Sequence, residues 1–312
     1  MKLRHQLAIA GMGFCCLCFA GPSDTSTDLQ RQFEERIQGE DPGPQVSSFW
    51  DWSSSADFIG TSRFSTEEVS SQDIGFRQVQ SSLSYNRFLS CFEIVSIGAG
   101  YSNVGIHWDD NPRFEQSSFD NVFVTIGAQC TRYRGWLWQG NFTARFNTDV
   151  GSVSHHVLYT GALWGRYELV PCFGMHTGFF AETGLRKDKV WPILGFDKQL
   201  TKQIKLYAVY PFEASVTYDY CGPWSIAAAT KFFRTRHRLS PDADLSNGLI
   251  EYRNIGTELR VMYELPPCIS AQIHVGHAYG GDLIVADQRD NNSTHYKFRS
   301  APYVGGELSF RF

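Results

Sequence analysis

The chain has no run of 18 consecutive apolar residues, so no segment can cross a bilayer as an α-helix. It has little net charge, formally -4, with Lys and Arg slightly outnumbered by Asp and Glu, 28 to 32. A strongly basic nucleic-acid binder is therefore excluded. Beyond the first 20 residues there is no Cys-x-x-Cys pair, and nowhere is there a glycine-rich phosphate loop. Structural zinc and nucleotide binding lose their usual signatures, and no cofactor or metal is expected.

What is present points to strands. With 28 glycines, 15% aromatic residues, only 4 methionines and a mean hydropathy of -0.27, the apolar residues must alternate with polar ones rather than cluster. Lys2 and Arg4 precede an uncharged stretch from Leu7 to Ala20 that is too short to span a membrane. This is the layout of a signal peptide, residues 1–20. Residues 21–50 are polar and read as a lead-in on the secreted side. Within it Leu29, Phe33 and Ile37 share one face of a short helix that opens on a Thr27 capping box. Residues 51–312 form the main body.

There the period is two. Phe212, Ala214, Val216, Tyr218 and Tyr220 alternate with Glu213, Ser215, Thr217 and Asp219, and Ile269, Ala271, Ile273 and Val275 alternate with Ser270, Gln272, His274 and Gly276. Trp136, Trp138, Gly140, Phe142, Ala144 and Phe146 oppose Leu137, Gln139, Asn141, Thr143 and Arg145 in the same way. A soluble sandwich and a membrane barrel both alternate. The final strand separates them. Val304, Gly306, Leu308, Phe310 and Phe312 share one face right up to the last residue. In water that edge would expose apolar area, whereas at a membrane interface it joins an aromatic girdle.

The segment that carries Tyr303, Gly305, Leu308 and Phe310, followed by Phe312, resembles the C-terminal recognition signal of bacterial outer-membrane β-barrels. The resemblance implies an all-β chain, secreted and closed into a transmembrane antiparallel barrel by the outer-membrane assembly machinery. It would sit among lipid in the outer membrane of a Gram-negative-type bacterium. The connections agree. Tight turns fall at Cys91, Cys130, Cys172, Cys221 and Cys268, and longer polar stretches lie between them: His107 to Gln116, Arg234 to Gly248, and Gly280 to Thr294. Short turns on one side and long loops on the other are the asymmetry of such a barrel. With Phe312 at the periplasmic end, parity puts all five cysteines on the periplasmic rim.

Strands are expected at 55–61, 74–89, 92–104, 119–129, 133–147, 154–169, 173–184, 189–199, 203–210, 212–220, 224–232, 250–264, 269–278 and 299–312. That is fourteen, or twelve if the block between Cys172 and Cys221 holds two strands instead of four. With the apolar faces outward, the lumen-lining set is Arg145, Arg166, Glu168, His176, Glu182, Lys205, Glu213, Asp219, Lys231, Glu258, Arg260, Glu264, His274, Glu307 and Arg311. The signs are mixed, which suits a weakly selective porin for small polar solutes or a lumen closed by salt bridges better than a pore selective for one sign.

Five cysteines in a secreted chain leave at least one thiol over, and rim turns can lie too far apart to bridge. Their placement resembles that in the disulfide-linked outer-membrane complexes of certain obligate intracellular bacteria. This implies crosslinks to other cysteine-containing envelope proteins. A homo-oligomer is implied only by the likeness to porins, many of which are trimers. Barrels that resemble lipid hydrolases use a compact His-x-Ser-Asn motif. Ser154-His155-His156 and His237 with Ser246-Asn247 do not match it, so no enzyme is expected. The remaining alternative is an adhesin or surface antigen acting through Trp108, Phe114 and the loop from Gly280 to Thr294.

Overall fold

The computed structural model describes residues 48–90, 92–131, 135–148, 157–185, 187–241, 245–265 and 268–312. The signal peptide, the capping-box helix, most of the lead-in, Cys91 and the Ser154–His156 segment lie outside these residues. The strands are β1 (Ser48–Arg63), β2 (Asp73–Ser90), β3 (Glu93–Trp108), β4 (Ser118–Cys130), β5 (Trp136–Asn147), β6 (Val157–Val170), β7 (Phe173–Thr183), β8 (Lys189–Gln199), β9 (Ile204–Tyr210), β10 (Glu213–Cys221), β11 (Trp224–Arg238), β12 (Leu249–Leu265), β13 (Ile269–Ala286), β14 (Thr294–Phe298) and β15 (Ala301–Arg311). Among the described residues the only helical element is a single 3₁₀ turn, Glu67–Val69.

From β1 to β14 each strand pairs antiparallel with its sequence neighbours, and β15 pairs with β13 and with β1, so the sheet closes on itself. The seam is fastened at its end by two backbone hydrogen bonds. Trp50 N–H donates to the Phe312 carbonyl at 2.7 Å and Phe312 N–H to that of Trp50 at 2.9 Å. β14 and β15 are successive pieces of one stave, since both pair with β13 and are interrupted only at residues 299–300. The barrel therefore has fourteen staves. The block after Cys172 holds four of them, β7 to β10, and the twelve-strand alternative falls away. β9 and β10 are also the shortest full staves, at 7 and 9 residues.

Several boundaries move. β1 opens at Ser48, so residues 48–50 belong to the barrel and not to the lead-in, and it starts well before residue 55 and ends at Arg63, just past 61. β11 continues to Arg238 and β13 to Ala286. Much of what reads as loop in Arg234–Gly248 and Gly280–Thr294 is strand. The final stave starts at Thr294, earlier than residue 299.

The faces settle the architecture. Val216 is 45% exposed and Ile273 68% exposed on the outside, while Glu213, Lys231 and His274 are buried inside. A soluble sandwich would show the reverse. Along β2 the outward residues Val79 and Leu83 are bounded above by Arg77 and below by Arg87. Ten residues at about 3.3 Å rise, tilted by about 40°, give an apolar band about 25 Å tall. Around its lower edge stand ring pairs: Trp50 with Tyr85, Trp52 with Phe310, Trp136 with Trp138 and Tyr167, and Trp224 with Tyr263. Such amphipathic rings favour the headgroup level.

Candidate functional site: the barrel interior

Fourteen staves about 4.8 Å apart and tilted by about 40° would enclose a circle about 28 Å across, backbone to backbone. The interior does not keep that width. Phe119 of β4 and His237 of β11, seven staves apart in either direction, stack with ring centroids 4.7 Å apart. Two side chains cannot bridge such a circle, so the top of β11 leans inward. Its burial pattern shows how far. Thr235, Arg236, His237 and Arg238 are all buried, as are Leu249 to Tyr252 of β12 and Leu283 to Ala286 of β13. Alternation is lost where both faces of a strand are covered. The upper ends of β11, β12 and β13 thus form a septum across the mouth.

Each face of the septum is held differently. On one, Phe119 meets His237, and Phe76 of β2 stacks on Tyr252 of β12 at 4.3 Å and 11°. On the other, Arg236 Nη1 lies 2.7 Å from Glu182 Oε1 of β7, and Glu251 Oε2 lies 2.6 Å from Lys189 Nζ of β8. Arg234 Nε reaches Glu251 Oε1 at 2.7 Å. Above this the loops fold in. Phe64, Trp108, Phe114 and Tyr296 pack in one apolar cluster, with Trp108 centred 4.7 Å from Phe64 and 4.9 Å from Tyr296. Trp108 and Phe114, expected as exposed recognition aromatics, are 6% and 2% exposed. They are packed inside the upper apolar cluster and offer no surface to a receptor. The loop after β13 shrinks to residues 287–293 and is tied to itself. Asp287 accepts from the backbone N–H of Asn291 and of Arg289, both at 2.8 Å, and the Asn291 bond leads in holding its carboxyl below the usual range.

Below the septum, the charged residues that alternation places on the inner face form pairs and triads. Arg166 grips Asp197 with two 2.7 Å hydrogen bonds, and His176 Nε2 meets the same carboxylate at 2.8 Å. Asp57 is shared by Lys231 at 2.6 Å and His274 at 2.8 Å. Arg260 lies between Glu213, at 2.7 Å, and Glu258, whose other oxygen accepts from the Tyr303 hydroxyl at 2.8 Å. Near the termini Arg311 pairs with Asp51 at 2.9 Å, Lys205 with Asp219 at 3.1 Å, and Glu307 accepts from Gln272 at 3.0 Å. Arg145 is buried on the inner face of β5, while Glu168 and Glu264 are half-buried at the lower ends of β6 and β12. Glu182 belongs to the septum latch. The assembly-signal residues divide as the alternation requires. Tyr303 and Gly305 face in, and Leu308, Phe310 and Phe312 face out.

The partners missing from the sequence-derived set are Asp57, Asp197, Asp51, Lys189, Arg234, Arg236 and Glu251. Alternation around Phe58 already puts Asp57 inside, and Phe196 does the same for Asp197. The septum had a signal too: Leu283-Ile-Val-Ala286 is a continuous apolar run that breaks the period of two. Phe212 departs from the face assigned to it. At the β9–β10 turn it packs on Trp164, 5.4 Å away, instead of facing lipid.

The lower turns carry the thiols. Cys130, Cys172, Cys221 and Cys268 all lie at the end of the barrel that holds Phe312, and none is bridged. Two staves separate Cys130 from Cys172 and Cys221 from Cys268, which at about 4.8 Å each is about 10 Å. A bridge needs Cα atoms within about 7 Å. Cys172 also has φ of +70°, in a Pro171-Cys172 turn where the left-handed conformation favours glycine.

A closed antiparallel barrel with lipid-facing apolar staves, an aromatic girdle and charges turned inward is an outer-membrane-type β-barrel. No family model matches the sequence. The chain is similar to an uncharacterized protein of Chlamydia pneumoniae, at 26% identity over 261 residues, covering 77% of this chain and 81% of that protein. It is also similar to uncharacterized proteins of Chlamydia muridarum and Chlamydia trachomatis, at 25% and 23% identity, spanning 64% of this chain and 63% of the length of each. Among solved structures, an outer membrane channel from Pseudomonas putida F1 aligns over 88% of this chain and all of its own, with TM-score 0.49 and 8% identity. The translocator domain of the autotransporter NalP from Neisseria meningitidis aligns over 91% of this chain and 95% of its own, with TM-score 0.39 and 10% identity.

Proposed function

We propose that this barrel is a structural component of the outer membrane, closed to diffusion and fastened to other cysteine-containing envelope proteins through its periplasmic rim. The observation that carries the reading is the septum, whose strand ends reach across the mouth with stacked rings on one face and ion pairs on the other. The porin reading is correspondingly weaker, and the adhesin reading loses both of its aromatics.

The rim supplies the fastening. Among the described residues, Cys130, Cys172, Cys221 and Cys268 are too widely spaced to bridge with one another, and Cys172 occupies a backbone conformation that costs a residue with a Cβ about 1 kcal/mol. Retaining a cysteine there fits a thiol that is used. No catalytic role is assigned; His237 is enclosed by Phe119 and shares a 2.6 Å hydrogen bond with Thr235 Oγ1.

In planar bilayers the purified protein is expected to give no discrete conductance steps, and regular steps would restore the porin. Envelopes harvested under an alkylating agent should show high-mass species on non-reducing gels that collapse on reduction. Cys172→Gly should weaken those species while stabilising the isolated barrel by about 1 kcal/mol. A wholly monomeric pattern in the unmodified protein would remove the fastening.

A further inference from the structure

On the outer wall, where the upper parts of β1, β2 and β3 meet, the surface dips into a recess of about 410 Å³. Phe58, Thr61, Gly75, Arg77, Gly105 and His107 are among the residues that line it. Its depth comes from what two positions lack. A Cβ on Gly75 would find only ordinary neighbours, His107 Cβ at 3.8 Å and Thr61 Cγ2 at 3.9 Å, so a larger side chain there would occupy the hollow. At Gly105 the missing side chain lets the stem of Arg77 lie flat across the neighbouring strand.

The charges around the recess are unequal. Arg63 pairs with Asp73 at 3.7 Å and His107 Nε2 with Asp109 at 3.0 Å. Arg77 has no ion-pair partner among the described residues, and it stands at the upper limit of the apolar band, directly above Val79. An arginine at that height stretches its stem along lipid and places its guanidinium at headgroup level. Its fork there matches phosphate geometry.

We infer that the recess holds the phosphate of a phosphorylated lipid of the outer leaflet. Arg77 donates charge-assisted hydrogen bonds to it, His107 faces it from the opposite wall, and Phe58 and Val79 lie against its first methylenes. The occupant is a lipid and not a free anion, because the lipid-facing side chains Phe58, beside Arg77, and Ala56 and Val79, directly below it, offer an apolar bed to an attached chain. The site is independent of the septum and of the rim thiols.

Native mass spectrometry of the full-length protein in detergent, titrated with diphosphoryl lipid A, tests the assignment. One retained lipid per barrel is expected. Arg77→Gln and Gly75→Leu should each weaken retention by about tenfold or more. Arg87→Gln, at the lower edge of the same strand, should leave retention unchanged. Heat-modifiable gel mobility reports that each variant still forms a barrel. Equal retention of fully dephosphorylated lipid A, or unaltered retention by Arg77→Gln, would overturn the inference. Displacement of the lipid by millimolar inorganic phosphate would overturn the lipid assignment in favour of a free anion.

Discussion

Gly305→Leu is expected to destabilise the barrel by about 3–5 kcal/mol, the range for breaking a buried ion pair, and to do so in detergent micelles with no assembly machinery present. Gly305 lies in register between His274 of β13 and Asp57 of β1, on the inner face. A Cβ there would run into His274 Nε2, Asp57 Oδ1 and the Ala56 carbonyl oxygen. The residue is small because the histidine must reach across it to the carboxylate. Asp57 is 4% exposed, Lys231 4% and His274 3%, so displacing the carboxylate strands at least one cation away from water. Denaturant unfolding in micelles measures the loss. If Gly305→Leu refolds there with an unchanged midpoint, the glycine serves recognition by the assembly machinery alone and the packing argument fails.

The second large effect is a gain of conductance. Glu182→Gln combined with Glu251→Gln should convert a silent barrel into one that shows discrete steps in planar bilayers. The two carboxylates neutralise Arg234, Arg236, Arg253 and Lys189 at the septum. Without them four cations are left close together, with Asp290 still 3.4 Å from Arg236. Like charges held close at low local dielectric repel by several kcal/mol. The outward route relieves this, because among the described residues β11 beyond Lys231 has a strand partner only in β12 and none on its β10 side. Phe119→Ala would remove the stacking on the opposite face and should add to the effect. Silence in the triple variant, with the barrel intact by gel mobility, would mean that the aromatic cluster above suffices to close the mouth.

How much of this could be read from the chain depends on how local the cause is. The fourteen staves, their faces and the sidedness of their turns follow from alternation and from turn residues such as Pro171 and Gly222-Pro223, which act within a few positions. The inner face was legible for the same reason. Its pairing was not, because Lys231 and Asp57 are 174 residues apart and meet only once the sheet has closed. The septum escapes such a reading because the upper parts of β11 and β13 adjoin polar stretches and read as loops. Arg234 to Arg238 carries three arginines and a histidine, which look solvated until the opposite wall supplies Glu182. Trp108 and Phe114 misled in the opposite sense. An aromatic in a connecting segment suggests recognition only if nothing apolar lies within its reach, and here Phe64 and Tyr296 do.

The brevity of β9 and β10 bears on the surrounding lipid. Seven residues, inclined as the other staves are, rise only about 18 Å, against an apolar band of about 25 Å on the longer staves. Acyl chains beside this flank must compress or splay, at a cost of fractions of a kcal/mol for each ångström of mismatch. Two molecules that bring their low flanks together share one thinned zone instead of maintaining two. The bilayer itself therefore gives the cylinder a preferred side for meeting its neighbours.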